Sequence, residues 1–151
     1  MNVLAPVSTL MTTNVITVAP EDSLHKVKEI FDQHNIHHIP VVDEDHKIAG
    51  IVSKTDFLHF LRGYARTTAD IINEEAHLRA WKVEEVMIRG LAKVDQNEPI
   101  RTALEVFKTN RLHALPIVEG NQLVGIVTTY DVIKALAEAP ISLDDYKMVK
   151  V

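Results

Sequence analysis

The sequence contains no cysteine. That absence excludes a disulfide framework and any thiolate metal site. Long apolar runs are missing too, and no stretch approaches the roughly 20 residues a membrane-spanning helix needs. The first residues, Met1-Asn2-Val3-Leu4-Ala5-Pro6, lack the basic segment and apolar stretch of a secretion signal. Positive charge is in short supply: 16 Lys and Arg against 21 Asp and Glu leave a net charge of −5, a poor match to a nucleic-acid backbone. The motifs of common catalytic sites are absent as well. There is no Walker loop, no GxSxG elbow, no cysteine nucleophile, and no carboxylate pair outside helix-capping positions. The expectation is a cytoplasmic protein that is not an enzyme, carries no cofactor and binds neither nucleic acid nor membrane.

Eight histidines are present, and His34, His37 and His38 lie close together. Successive residues of a strand point to opposite faces, so His37 and His38 do not readily face one ion. No HExxH or carboxylate–histidine spacing of a catalytic zinc site occurs. No metal site is therefore expected, although a histidine titrating near pH 6.5 can make ligand binding sensitive to protons.

What the chain does have is an ordinary globular composition, 46% apolar and 25% charged over 151 residues, enough for a real core. It also repeats itself. An offset of 76 pairs Met11 with Met87, Val18 with Val94, Glu29 with Glu105, Phe31 with Phe107, His37 with His113, Pro40 with Pro116 and Val42 with Val118. The loop from Asp43 to Lys47 is one residue longer than its counterpart, and the offset becomes 75. Gly50-Ile51-Val52 then matches Gly125-Ile126-Val127, and Asp56 matches Asp131. Register kept across both blocks marks two copies of one supersecondary unit.

Each copy reads as β-α-β-β-α. Ile16-Thr17-Val18 and Leu91-Ala92-Lys93-Val94 are short β-type stretches ending at Pro20 and Asp95. Asp22 or Ser23 caps a helix with Leu24, Val27, Ile30 and Phe31 inward; Asn97 caps its counterpart, with Pro99 in the first turn and Ile100, Ala103, Val106 and Phe107 inward. Hairpins follow, residues 39–42 with 48–52 and 115–118 with 123–127, joined by polar turns. A second helix closes each unit, from about 55 to 61 and from about 130 to 137. Half of this cannot bury its own faces, but two copies packed sheet to sheet can. The fold class expected is α/β (α+β). The divisions are 1–61 for the first copy, 62–82 for a helical connector, 83–138 for the second copy and 139–151 for a tail. In the connector, Gly63 ends or bends the preceding helix, and Thr67 or Thr68 caps a helix carrying Ile71, Ile72, Ala76 and Trp81. The connector either covers the domain edge or serves as a dimerisation or lid element.

Ser53-x-x-Asp56 and Thr128-x-x-Asp131 stand where each closing helix begins. A hydroxyl with an acid three residues later is a capping box, which accounts for the residues with no ligand at all. The same helix N-terminus suits a phosphate, because its N–H groups are unpaired and its dipole end is positive. A carboxylate beside it can accept hydrogen bonds from both hydroxyls of a ribose. The two readings are compatible.

The repeated pattern resembles the CBS (cystathionine-β-synthase) domain. The resemblance rests on Val7-Ser8-Thr9-Leu10-Met11 and Val83-Glu84-Glu85-Val86-Met87, on His37 to Val42 and His113 to Val118, and on Gly50 to Asp56 and Gly125 to Asp131. It implies two repeats related by a pseudo-two-fold axis, a Bateman module with two clefts, and a homodimer. It implies that Ser53, Asp56, Thr128 and Asp131 contact phosphate and ribose. It also implies that each base slot comes from the opposite copy: Ala92, Leu112 and His113 with Ser53 and Asp56; Ile16, Ile36 and His37 with Thr128 and Asp131. Arg111 matches a basic position of nucleotide-binding relatives, with His38 and Lys54 as further phosphate contacts. Asn35 replaces Arg111 in the first copy, so the two clefts should differ. The function expected is regulatory binding of AMP, ADP or ATP, signalled through a partner protein or a dimer rearrangement. The alternatives are a sensor of S-adenosylmethionine, a cyclic dinucleotide or a nicotinamide dinucleotide, or a protein-interaction module that needs no ligand.

Overall fold

A computed structural model describes residues 1–64, 67–109 and 111–140. The first copy comprises α1 (Leu24–Gln33), β1 (His38–Val42), β2 (Ile48–Ser53) and α2 (Lys54–Tyr64). Two short helices follow, α3 (Thr68–Ile72) and α4 (Glu74–Ala80). The second copy comprises β3 (Val94–Asp95), α5 (Ile100–Phe107), β4 (Ala114–Glu119), β5 (Gln122–Thr128) and α6 (Thr129–Ala137). β3 runs parallel to β4, and β4 antiparallel to β5. In the first copy the expected opening strand shrinks to a single parallel bridge between Val18 and Val41, beside the antiparallel β1–β2 hairpin. The central strands β1 and β4 are covered on both faces, which is why Ile39 to Val42 and Ala114 to Val118 are apolar without alternation.

The two cores are not the two sequence blocks. Val7 is fully buried against Val94, Ala103, Leu115, Ile117 and Val127 of the second copy, with Leu10 and Met11 packed beside it. Val83 and Met87 are buried among Leu24, Val27, Phe31 and Val52 of the first copy. Each copy's leading segment therefore completes the other copy's core. Backbone bonds lock both crossings. Thr12 and Ile126 exchange N–H···O bonds at 2.9 and 3.0 Å, and Ile88 and Ile51 do so at 2.9 and 3.1 Å.

The crossings explain why each hairpin carries a glycine. A Cβ on Gly50 would lie 2.8 Å from the Ile88 carbonyl oxygen and 3.0 Å from Met87 Sδ. One on Gly125 would lie 2.6 Å from Met11 Sδ and 3.0 Å from the Thr12 carbonyl oxygen. Only a residue without a side chain lets the crossing segment approach the strand this closely. The leading Met and the hairpin Gly of the repeat pattern are thus partners across the two copies.

The connector differs from its expected form. Thr67 caps α3 in a reciprocal box with Asp70, but the helix stops at Asn73 and α4 restarts. Ile71 and Ile72 stay exposed, at 62% and 76%, and Ala76 is exposed too. The buried anchor is Leu78, and Trp81 packs against Phe60, Tyr64 and His77. The connector is bound to the first copy. His25 on α1 meets Glu75 on α4 at 2.8 Å, Leu24 N–H donates to the Trp81 carbonyl, and Val83 N–H donates to that of Asp22. Gly63 does not end α2, which runs on to Tyr64. Most of the expected 139–151 tail lies outside the described residues.

One expected cap moves. Ser23 caps α1, its hydroxyl accepting from Lys26 N–H, while Asp22 accepts from Ala19 N–H and from the Lys26 ammonium. Asn97 does not cap α5: its backbone N–H and its amide both donate to Asp95 Oδ1 at 3.0 Å, and Pro99 takes the N-cap position. Among the described residues, no helix is long and apolar enough to cross a membrane.

A cleft between the two copies

Both closing helices begin in the same way. Ser53 Oγ accepts the Asp56 N–H at 3.0 Å and donates its own proton to Asp56 Oδ2. Thr128 Oγ accepts the Asp131 N–H at 3.2 Å, while the Thr128 N–H and hydroxyl donate to Asp131 Oδ2 at 2.7 and 2.6 Å. The next N–H in each copy, Lys54 or Thr129, donates to the carbonyl of His37 or His113 at 2.8 and 3.0 Å. The histidine backbone before each hairpin thus holds the start of the helix that follows it. The hydroxyl of each pair thus caps its helix, and the reciprocal box, in which the acid also accepts the N–H of the cap residue, is formed by Thr128 and Asp131. These bonds engage Oδ2 of each acid, and a carboxylate offers about four acceptor sites over two oxygens, so capping leaves room for a ligand.

A cleft of about 350 Å³ opens at the start of α2. One wall carries Ile51, Ser53, Thr55 and Asp56, with His37 and His38 beside them. The facing wall comes from the second copy: Ile88, Leu91, Arg111, Leu112, His113 and Ala114. Ile51 and Ala114 are buried in a small apolar cluster with Ile126, against which Val15 and Leu91 pack. The cleft therefore has an apolar floor between the sheets, a polar helix start on one side and a guanidinium on the other. Concave sites that hold small molecules commonly have this make-up.

The structure brings together Ser53, Asp56, Leu112, His113, Arg111 and His38, as the sequence suggested. Other residues fall elsewhere. Ala92 is not part of the lining and is exposed, while its neighbour Leu91 lines the cleft; consecutive residues of an extended segment face opposite ways. His37, expected beside Thr128 and Asp131, lines the cleft of Ser53 and Asp56. Lys54 is not a lining residue, and its ammonium sits 5.9 Å from the centroid of the Phe31 ring, a cation–π arrangement. Ile36 packs against the first core, and Ile16 is half-buried.

Sequence reasoning missed Ile51, Thr55, Ile88, Leu91 and Ala114. Thr55 was within reach, since it lies inside Ser53-x-x-Asp56. Ile88 reaches the cleft only because the leading segment crosses to the other copy.

His38, half-buried in the cleft wall, has a displaced ionisation. Burial lowers its pKa below the ordinary imidazole value; nearby His113 and His37 lower it further, and Asp56 opposes them. His38 is thus uncharged near neutral pH, and Arg111 supplies the permanent positive charge of the lining.

The repeat offsets define the symmetry-related positions. Asn35 replaces Arg111, His38 replaces Ala114, Tyr130 replaces Thr55 and Thr12 replaces Ile88. Thr128 and Asp131 keep the capping pair. The helix starts are thus alike, and the walls facing them are not.

The CBS domain model matches the chain twice, over residues 7–63 and 83–138. Among curated proteins, a CBS domain-containing protein of Bacillus subtilis, YhcV, is 30% identical over 128 residues, covering 85% of this chain and 83% of its own length. Inosine-5'-monophosphate dehydrogenase of Methanocaldococcus jannaschii is 30% identical over 122 residues, 80% of this chain. The chain spans 21% of that enzyme and 32% of another protein of the same organism, MJ1404. Two solved structures share the fold. The CBS domain pair of protein MJ0100, in complex with 5'-methylthioadenosine and S-adenosyl-L-methionine, has a TM-score of 0.70 at 23% identity, over 89% of this chain and 97% of that one. CBSX2 in complex with AMP has a TM-score of 0.71 at 22% identity, with the same coverage.

Proposed function

The chain belongs to the CBS domain family, and from that premise we propose that it is a regulatory module binding an adenosine-type nucleotide in the cleft between its two repeats. The observation that carries this is the meeting of Ser53 and Asp56, at a helix start, with Arg111, Leu112 and His113 from the other copy around one 350 Å³ cleft. In this reading Asp56 accepts from the ribose hydroxyls. The first N–H groups of α2 and the Arg111 guanidinium hold phosphate. Ile51, Ile88, Leu91 and Ala114 enclose the base. The likeness to folds that hold AMP, or methylthioadenosine and S-adenosylmethionine, supports an adenosine moiety as the shared feature.

The output acts through a protein partner or through self-association. Leu58 on α2 and Ile133 on α6 are repeat-related and exposed at 41% and 62%, with Leu136 at 54%. Two such helix faces suit a homodimer in which both repeats take part.

Thermal unfolding against AMP, ADP, ATP, S-adenosylmethionine and cyclic dinucleotides tests the proposal, because a ligand that binds only the folded state raises the midpoint by mass action. Stabilisation by AMP, ADP or ATP supports it. Stabilisation by S-adenosylmethionine alone moves the assignment to that ligand. No shift with any of them, at concentrations on the order of a millimolar, leaves Ser53, Asp56, Thr128 and Asp131 as helix caps of a protein-interaction module.

A further inference from the structure

The two copies do not contribute equally to the wall of the cleft. His37 and His113 are repeat partners, and both line it. His38 also lines it, yet its repeat partner Ala114, in the same cleft, is a methyl group. The first copy thus adds a half-buried imidazole that the second copy lacks. Four titratable or charged side chains line the cleft with His38. They are His37 on the approach to its own strand, His113 and Arg111 on the facing segment, and Asp56 at the start of α2. Lys54 of α2 turns toward Phe31.

We infer that His38 is a proton-dependent contact for the phosphate of a nucleotide, so that seating a phosphoryl group in this cleft takes up a proton and seating an unphosphorylated nucleoside does not. The inference rests on the adenosine-nucleotide reading and goes beyond it, because it assigns a selective role to one residue. Before a phosphate arrives, burial first and then the two histidines beside it hold the imidazole's pKa below its ordinary value. A phosphate dianion nearby reverses that balance by favouring the imidazolium. Linkage then fixes the sign. A group whose pKa rises on binding strengthens binding as pH falls through the bound-state value, and the gain is complete below the free-state value. Each unit of rise corresponds to about a tenfold change in affinity across that window. Neutral adenosine brings no charge and has no such dependence through His38.

The test is calorimetric titration of AMP and of adenosine into the intact chain, in two buffers of different ionisation heat. It is repeated from about pH 8 to about pH 5.5, which brackets the histidine range. The variants are His38→Ala, which copies the residue of the second repeat, and His38→Gln, which keeps polarity without the proton. The AMP phosphate itself titrates near pH 6, so the difference between wild type and variant is what is read. The expected result is net proton uptake with AMP that falls in both variants, no uptake with adenosine, and adenosine affinity unchanged within about twofold. Equal proton uptake in wild type and both variants overturns the inference while leaving nucleotide binding intact. Absence of binding by both ligands at every pH overturns the nucleotide reading, and this inference with it.

Discussion

The two repeats have the same backbone solution and different side chains at the positions that decide chemistry. In both, a leading segment crosses to the other core, a hairpin glycine admits it, and a hydroxyl–acid pair caps the closing helix. These features serve folding, and both copies keep them. Facing the caps, however, Arg111 stands opposite Ser53 and Asp56, whereas Asn35 holds the related position for Thr128 and Asp131. Thr55 corresponds to Tyr130, a bulky ring that is 69% exposed. Features common to both copies therefore report on architecture, and differences between them report on ligand.

The largest expected effect tests the architectural half of that comparison. Gly50→Ala and Gly125→Ala each force a methyl group into the crossing, and overpacking of this kind costs about 1–3 kcal/mol. At Gly50 the nearest atom is backbone, at Gly125 it is the flexible end of Met11. Urea unfolding should therefore show the greater loss for Gly50→Ala. A greater loss at Gly125 would mean that Met11 is held more rigidly than the Ile88 backbone.

The next effect concerns the difference between clefts. Arg111→Asn gives the first cleft the side chain of its symmetry mate and should weaken AMP binding about tenfold, the scale of one charge-assisted hydrogen bond. Adenosine binding should change little. Asn35→Arg should strengthen any weaker second binding event for AMP. If Arg111→Asn weakens adenosine and AMP alike, the guanidinium shapes the slot instead of holding phosphate.

The smallest effect is on the shared caps. Thr128→Ala removes an N-cap hydroxyl and should cost about 1 kcal/mol, read by chemical denaturation without ligand. Ser53→Ala should cost a similar amount and in addition reduce AMP affinity. Loss of stability without loss of affinity at Ser53 would restrict that residue to capping.

Much of this fold was legible in the sequence because the repeat is long and its central strands are buried on both sides. Runs such as Ile39 to Val42 and Leu115 to Val118 leave little choice of element. The capping residues were equally legible, since Thr128 and Asp131 act over three residues. What could not be read was which copy each leading segment packs on, because internal similarity pairs Val7 with Val83 without saying where either is buried. That gap hid Ile88 from the cleft. The exchange of Ala92 for Leu91 has a local cause: a segment without a paired strand carries no alternation to set its phase. Asn97 was misplaced because α5 begins only at Ile100, two residues beyond the start that an Asn97 cap would set, and its amide turns back to Asp95.

The central claim is that an adenosine nucleotide occupies the cleft formed by Ser53, Asp56 and Arg111. Calorimetric titration of AMP into wild type and into Asp56→Asn tests it most directly, because the substitution keeps size and changes what the side chain offers the ribose. The wild type should bind AMP, and Asp56→Asn should lose about tenfold or more in affinity while its unfolding remains cooperative. Unchanged affinity and stoichiometry in a folded Asp56→Asn protein would contradict it.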